Sequence, residues 1–158
     1  CDFPLMRRIG HKIMTEQLDD VVYGRISELS ELANDLLNAN DAISAIELLL
    51  GALNLLPNPK NNWEAYTWIN GSLGEAYFIL KDYSRAKEVL FDALNGPDGW
   101  ENPFILLRLG ESLYEMGEKD AASQYLARAY MLEGEELFKD EDSKYLVLLK
   151  SKLLIDGP

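Results

Sequence analysis

Residues 73–93 read LGEAYFILKDYSRAKEVLFDA, and residues 109–129 read LGESLYEMGEKDAASQYLARA. The two stretches superimpose on their small residues. Gly74 is followed 12 residues on by Ala86 and 7 further on by Ala93, and Gly110 is followed at the same offsets by Ala122 and Ala129. A third copy lies upstream, where Ala33, Ala45 and Ala52 keep both offsets. Large residues recur between them: Leu73, Tyr77 and Leu90 match Leu109, Leu113 and Leu126, and also Leu32, Leu36 and Leu49. Self-similarity of this kind is read before any single element, because missing it misassigns the whole fold.

Inside each copy the apolar spacing is helical. Leu29, Leu32, Leu36 and Leu37 recur at helical intervals, as do Ile46, Leu49, Leu50 and Leu53, and then Tyr66, Ile69, Leu73, Tyr77 and Leu80. Asp41, Asp82 and Asn102 are placed as N-caps, and Pro103 sits at a first helical position, where its missing N–H costs nothing. Gly96, Gly117 and Gly134 suit the left-handed residue that closes a helix. No alternating run supports a strand. Seven helices are expected, at about 15–38, 41–55, 62–80, 83–95, 103–116, 119–133 and 142–154.

These offsets resemble the tetratricopeptide repeat (TPR), a helix–turn–helix unit of about 34 residues. The resemblance implies an all-α fold: three such units in a right-handed solenoid, at about 26–59, 67–100 and 103–136. The small-residue landmark moves 41 residues from Ala33 to Gly74 and 36 from Gly74 to Gly110, so extra length is expected in the turns at Asn58–Asn62 and Gly96–Glu101. Trp63 and Trp100 are expected to staple those turns. A solenoid leaves its last repeat with an open apolar side. Residues 142–154 are expected to cap it, opened by Asp140, Glu141 and Asp142, with Leu146, Leu149 and Leu153 inward and Lys144, Lys150 and Lys152 outward.

The 158-residue chain is long enough for one ordinary domain, read as residues 14–158. Residues 1–13 differ in composition, holding Arg7, Arg8, Lys12 and the sole histidine, His11. They are read as a leader, non-native or disordered, with a lipid-anchored Cys1 as the lesser alternative. The net charge of −12 argues against nucleic acid and anionic membranes as partners. No stretch of 18 apolar residues is present to span a bilayer, and the location expected is cytoplasmic. With one cysteine there is no intrachain disulfide and no cysteine-rich zinc site. No catalytic motif occurs, so the chain is read as no enzyme, with no catalytic residues, no metal, no cofactor and no small-molecule substrate. Asp140–Asp142 lacks the spacing of a calcium loop and is read as a solvated cap. The acidic residues around Gly134 are read as a polar turn.

Function is therefore expected to be contact with a protein partner. The TPR resemblance places groove-facing residues at the second, fifth, ninth, twelfth and thirteenth positions of each unit. These are Ser27, Ser30, Asn34, Leu37 and Asn38; then Trp68, Gly71, Glu75, Phe78 and Ile79; then Phe104, Leu107, Glu111, Tyr114 and Glu115. The partner-binding set drawn from them is Asn34, Trp68, Glu75, Phe78, Phe104, Leu107, Glu111, Tyr114 and Glu115. Leu107 and Glu111 stand where a carboxylate-gripping groove of the family has basic residues, so acidic tails are disfavoured. An aromatic wall with an acidic rim suits a partner with an apolar anchor and basic residues. Trp68, Phe78 and Phe104 serve packing between repeats equally well, and Glu75 and Glu111 fit a solvated face. Arg108 and Arg128 are read as intramolecular ion-pair partners.

Two further stretches narrow the resemblance. Trp63, Tyr66, Trp68 and Ile69, with Asn102 to Ile105, Arg128 to Gly134, Lys144 and Tyr145, resemble small bacterial TPR proteins encoded beside polymorphic toxins. That implies an immunity protein neutralising a basic toxin domain, such as a nuclease. The alternatives are a secretion chaperone, since three repeats also describe chaperones of type III translocators, or a scaffold.

Overall fold

In the computed structural model, which describes residues 18–156, helices and the turns between them make up the fold, with no strand among the described residues. The helices are α1 (Asp20–Asn38), α2 (Ala42–Leu55), α3 (Glu64–Ile79), α4 (Tyr83–Leu94), α5 (Pro103–Glu115), α6 (Lys119–Glu133) and α7 (Ser143–Asp156). The expected leader, residues 1–13, lies outside the described residues. The first helix was expected from residue 15; among the described residues it begins at Asp20, where the Asp19 carboxylate caps the Val21 and Val22 N–H groups.

The caps fall where turn chemistry requires them. Asp41 accepts from the Ser44 N–H, Asp82 from Arg85, and Asn102 from Phe104 and Ile105, with Pro103 following at the first helical position. Gly117 and Gly134 close α5 and α6 at φ of 83° and 79°. Gly96 does not have this role. A Cβ there would lie 2.3 Å from Thr67 Oγ1, so it is small because α3 passes against it. The left-handed residue of that turn is Asp98, at φ 57°.

Each adjacent pair, α1 with α2, α3 with α4 and α5 with α6, packs as an antiparallel helical hairpin. The repeat offsets are the packing code of these hairpins. Ala33, Ala45, Ala52, Ala86, Ala93, Ala122 and Ala129 are all fully buried. At Gly74 a Cβ would come 2.3 Å from Leu90 Cδ2, and at Gly110 one would come 2.7 Å from Leu126 Cγ. Small residues on the first helix thus let a leucine 16 positions later press onto its backbone.

The added turn length forms ordered structure. Lys60–Asn62 and Gly99–Glu101 are short 3-10 turns. Trp63 donates its indole N–H to the Pro57 carbonyl at 2.9 Å and is 9% exposed, which staples the first turn. The Asn58–Pro59 bond in it is cis. Trp100 stays half exposed, stacked on Tyr125 of α6.

Helix α7 packs on α6 and closes the last repeat. Its plug is Tyr145, 4% exposed, together with Leu149 at 1%. Leu153 was expected inward and is 47% exposed, because the helix runs past the end of its partner. Lys144, Lys150 and Lys152 lie on the solvent side as expected, and pair there with Glu115, Glu135 and Asp120.

Candidate functional site

Within the solenoid the first helices touch one another, α1 on α3 and α3 on α5, whereas the second helices splay apart. Helices α1, α3 and α5 therefore line the inner face. Helix α3 is the spine of the structure, with Thr67 to Gly74 buried without interruption.

The expected groove residues divide by depth. Trp68 and Leu107 are 4% exposed and belong to the core. Asn34, Phe78, Phe104 and Tyr114 are half-buried on the inner face. Ile79 and Asn38 are exposed, and Ser30 is buried, its hydroxyl donating to the Ile26 carbonyl. Phe78 meets Tyr83 edge-on at 5.5 Å, and Tyr114 meets Tyr145 edge-on at 5.3 Å.

The acidic residues form no open rim. Arg108 reaches from α5 into their midst and gathers Glu75 of α3, Glu111 of its own helix and Glu141 from the entry to α7. It grips Glu75 with two nitrogens, the Nη2 bond being 3.1 Å, in the bidentate geometry that favours arginine. Its guanidinium lies 4.6 Å from the Phe78 ring centroid. The side chains of Arg108, Glu75, Glu111 and Glu141 are 15%, 16%, 0% and 15% exposed. One guanidinium thus ties three elements together at the centre of the inner face. Glu115, the next acid along, accepts from the Tyr145 hydroxyl at 2.7 Å and pairs with Lys144.

Electrostatics follow from that crowding. Burial opposes the charge of Arg108, but Glu75, Glu111 and Glu141 overcome it and hold the guanidinium more firmly charged than in water. Burial pushes the Glu111 carboxyl well above the ordinary carboxylate range. The attraction of Arg108 offsets only part of this, and the neighbouring Glu141 raises it further. Glu111 Oε2 is buried with no donor facing it. The orphaned oxygen and the crowded carboxylates act in the same direction, both disfavouring the charged form of Glu111. Burial also raises Glu115, but the bonds from Lys144 and Tyr145 outweigh it and bring that carboxyl below its usual value.

Arg108 is an ion-pair residue as its apolar neighbours suggested. Arg128 is not: it donates to the Trp100 carbonyl at 3.1 Å and lies over the Trp100 ring. Glu141, read as part of a solvated cap, belongs to the buried cluster; Asp142 alone caps α7, accepting from the Lys144 N–H. A signal for the cluster was present. Arg108 stands 33 residues from both Glu75 and Glu141, one helical turn short of the 36-residue step that separates Glu75 from Glu111. Among the described residues no group of histidine, cysteine or acidic side chains is arranged to hold a metal ion.

Three helical hairpins, small-on-large packing inside each, a touching row of first helices and a terminal cap define a TPR-like solenoid fold. Solved structures of TPR domains share it. The second TPR domain of human RPAP3, in complex with the HSP70 peptide SGPTIEEVD, matches with a TM-score of 0.64 at 14% identity, over 82% of this chain and 96% of that one. The first TPR of Spaghetti (RPAP3), bound to the HSP90 peptide SRMEEVD, matches at 0.63 and 16%, over 85% and 98%. The type III secretion chaperone SycD of Yersinia enterocolitica, in complex with a peptide of the translocator YopD, matches at 0.67 and 16%, over 88% and 100%. Likeness at these identities establishes the fold. No protein-family profile and no curated protein matches the chain by sequence.

Proposed function

We propose that the chain is a non-catalytic protein-binding module that takes an extended polypeptide segment along the inner face of α1, α3 and α5. The observation behind this reading is the row of half-buried aromatics, Phe78, Phe104 and Tyr114, beside the exposed Ile79. Half-buried aromatic faces supply anchoring area at little entropic cost. The solved TPR structures hold peptides, which fits the same use.

The charge of the groove selects the segment. Arg108 is engaged by three carboxylates, so an acidic tail of the kind held by the RPAP3 domains finds no waiting cation there. With a net charge of −12 on the chain, the favoured segment has apolar anchors flanked by Lys or Arg. A secretion chaperone cradling such a segment fits this geometry best. Neutralisation of a folded basic toxin domain is the second reading, favoured by the same net charge. The residues behind that resemblance serve the fold: Trp63 staples a turn, Ile69 is fully buried and Tyr145 plugs the cap. The partner must decide between the two.

The test is capture of partners from host lysate by the full chain at low and high salt, followed by peptide scanning of whatever is retained. An apolar segment with basic flanks, still bound when the partner is unfolded, is the expected result. Phe104→Ala and Tyr114→Ala should then speed its release by about 10-fold or more at temperatures where both variants remain folded. Equal affinity for acidic tails, or binding indifferent to both variants, would refute the groove reading. Retention of a folded basic domain alone would move the assignment to toxin neutralisation.

A further inference from the structure

Two of the inner-face aromatics are tied to the cap. The Tyr114 ring meets Tyr145 of α7 edge-on, with centroids 5.3 Å apart. The Lys144 ammonium stands 5.5 Å from the Tyr114 centroid and 5.2 Å from that of Tyr145. Glu115, next to Tyr114 on α5, accepts from the Tyr145 hydroxyl and pairs with Lys144. Phe78 is reached through Arg108. The guanidinium lies over the Phe78 ring, and Glu141, at the entry to α7, is one of the carboxylates that hold it there.

The cap itself is lightly held. Helix α3 is buried without interruption from Thr67 to Gly74. Among the described side chains of α7 only Tyr145 and Leu149 are buried, with Leu146 and Leu148 half-buried. Two of its ion pairs, Lys150 with Glu135 and Lys152 with Asp120, are exposed and contribute little. An element with few buried contacts opens locally at lower cost than the whole fold. The side chains that hold this cap down, Tyr145 and Glu141, are the same ones that touch Tyr114 and the partner of Phe78.

We propose that docking of α7 and filling of the groove are coupled, with Tyr145 as the positioning residue. With the cap docked, Tyr145 fixes the Tyr114 ring, and Glu141 helps hold Arg108 against Phe78. With the cap released, the Tyr114 ring regains rotamer freedom that a bound segment must then remove. A segment seated on Tyr114 and Phe78 is therefore held more tightly by the capped state. Linkage makes the effect reciprocal, so the same segment holds the cap down by the same factor. The proposal rests on the groove reading and adds its regulation: whatever frees α7 loosens the hold on the segment.

The blocked peptide Lys-Leu-Phe-Leu-Lys, added to the full chain, is the probe. Saturating peptide is expected to slow amide exchange in α7 about threefold or more and to leave α2 little changed. Tyr145→Leu keeps an apolar plug and removes the ring and its hydroxyl. It should weaken peptide binding about three- to tenfold, the worth of an edge-on aromatic pair, and abolish the added protection of α7. Tyr145→Phe keeps the ring and should restore most of the binding. Both variants are read at a temperature where circular dichroism shows them folded, and if Tyr145→Leu does not fold the exchange measurement decides. Peptide binding at Phe104 and Phe78 with exchange in α7 unchanged overturns the coupling and leaves the groove reading standing. A folded Tyr145→Leu that binds as tightly as the parent does the same. No binding at millimolar peptide overturns both.

Discussion

Arg108→Met keeps the length and apolar bulk of the side chain and removes its charge. Glu75, Glu111 and Glu141 then remain together, at 16%, 0% and 15% exposure, with no cation among them. Breaking a buried ion pair from one side costs about 3–5 kcal/mol, because the orphaned partner stays buried. Burial already disfavours the charged form of Glu111, so the orphaned charges that weigh most are those of Glu75 and Glu141. A domain of this size is stable by about 5–15 kcal/mol, so the variant should lose a large share of its stability at neutral pH. Urea unfolding followed by circular dichroism at neutral pH should show the deficit. The triple change Glu75→Gln, Arg108→Met, Glu141→Gln should recover most of it, since a neutral cluster carries no orphaned charge. A neutral-pH loss below about 1 kcal/mol, the range of exposed pairs, would refute the reasoning. So would a triple variant no more stable than Arg108→Met alone.

Three further outcomes are expected. Because the folded-state carboxyl of Glu111 is raised, its contribution to stability is full below the unfolded value and is lost as pH rises through the folded one; Glu111→Gln should therefore gain on the parent as pH rises, and parallel denaturation profiles would contradict the raised carboxyl. Gly110→Ala places a methyl 2.7 Å from Leu126 Cγ and 3.2 Å from the Ala122 carbonyl oxygen, and should cost about 1–3 kcal/mol of overpacking against about 1 kcal/mol of helix propensity regained. Gly24→Ala meets nothing within 4 Å and should stabilise by about 0.5–1 kcal/mol, so thermal melts moving in the same direction for both would discount the packing account. Asn102→Ala removes the cap of α5, accepting from Phe104 and Ile105, and should lower stability by about 1 kcal/mol in chemical denaturation.

Much of the architecture was legible in sequence because its determinants are local. Helices, caps and the small-residue code all act within one hairpin, over at most 19 residues, so offsets along the chain report contacts directly. The misreadings are equally instructive. Gly96 has the letter of a helix-closing glycine, but it is set by Thr67, about one helical repeat away in sequence. Leu153 continues a correct apolar spacing on α7 beyond the reach of the surface it was meant to cover. Lys144, Lys150 and Lys152 do stay on the solvent side, and what the spacing could not give is the acidic partner each gains when the cap docks.

The candidate site was legible in position and not in state. The inner-face residues could be named from repeat positions, and Phe78, Phe104 and Tyr114 are there. Whether Glu75 and Glu111 faced water could not be read from composition, because 27 acidic residues place carboxylates on every face. By itself the sequence determined three helical hairpins with a cap, an acid-rich chain and turns of unusual length, since each follows from residues close together in the chain. Tertiary structure alone decided that Glu75, Arg108 and Glu141 meet. Their 33-residue intervals become contacts only when α3, α5 and the entry to α7 come together, and that packing also withdraws them from water and pushes the Glu111 carboxyl upward.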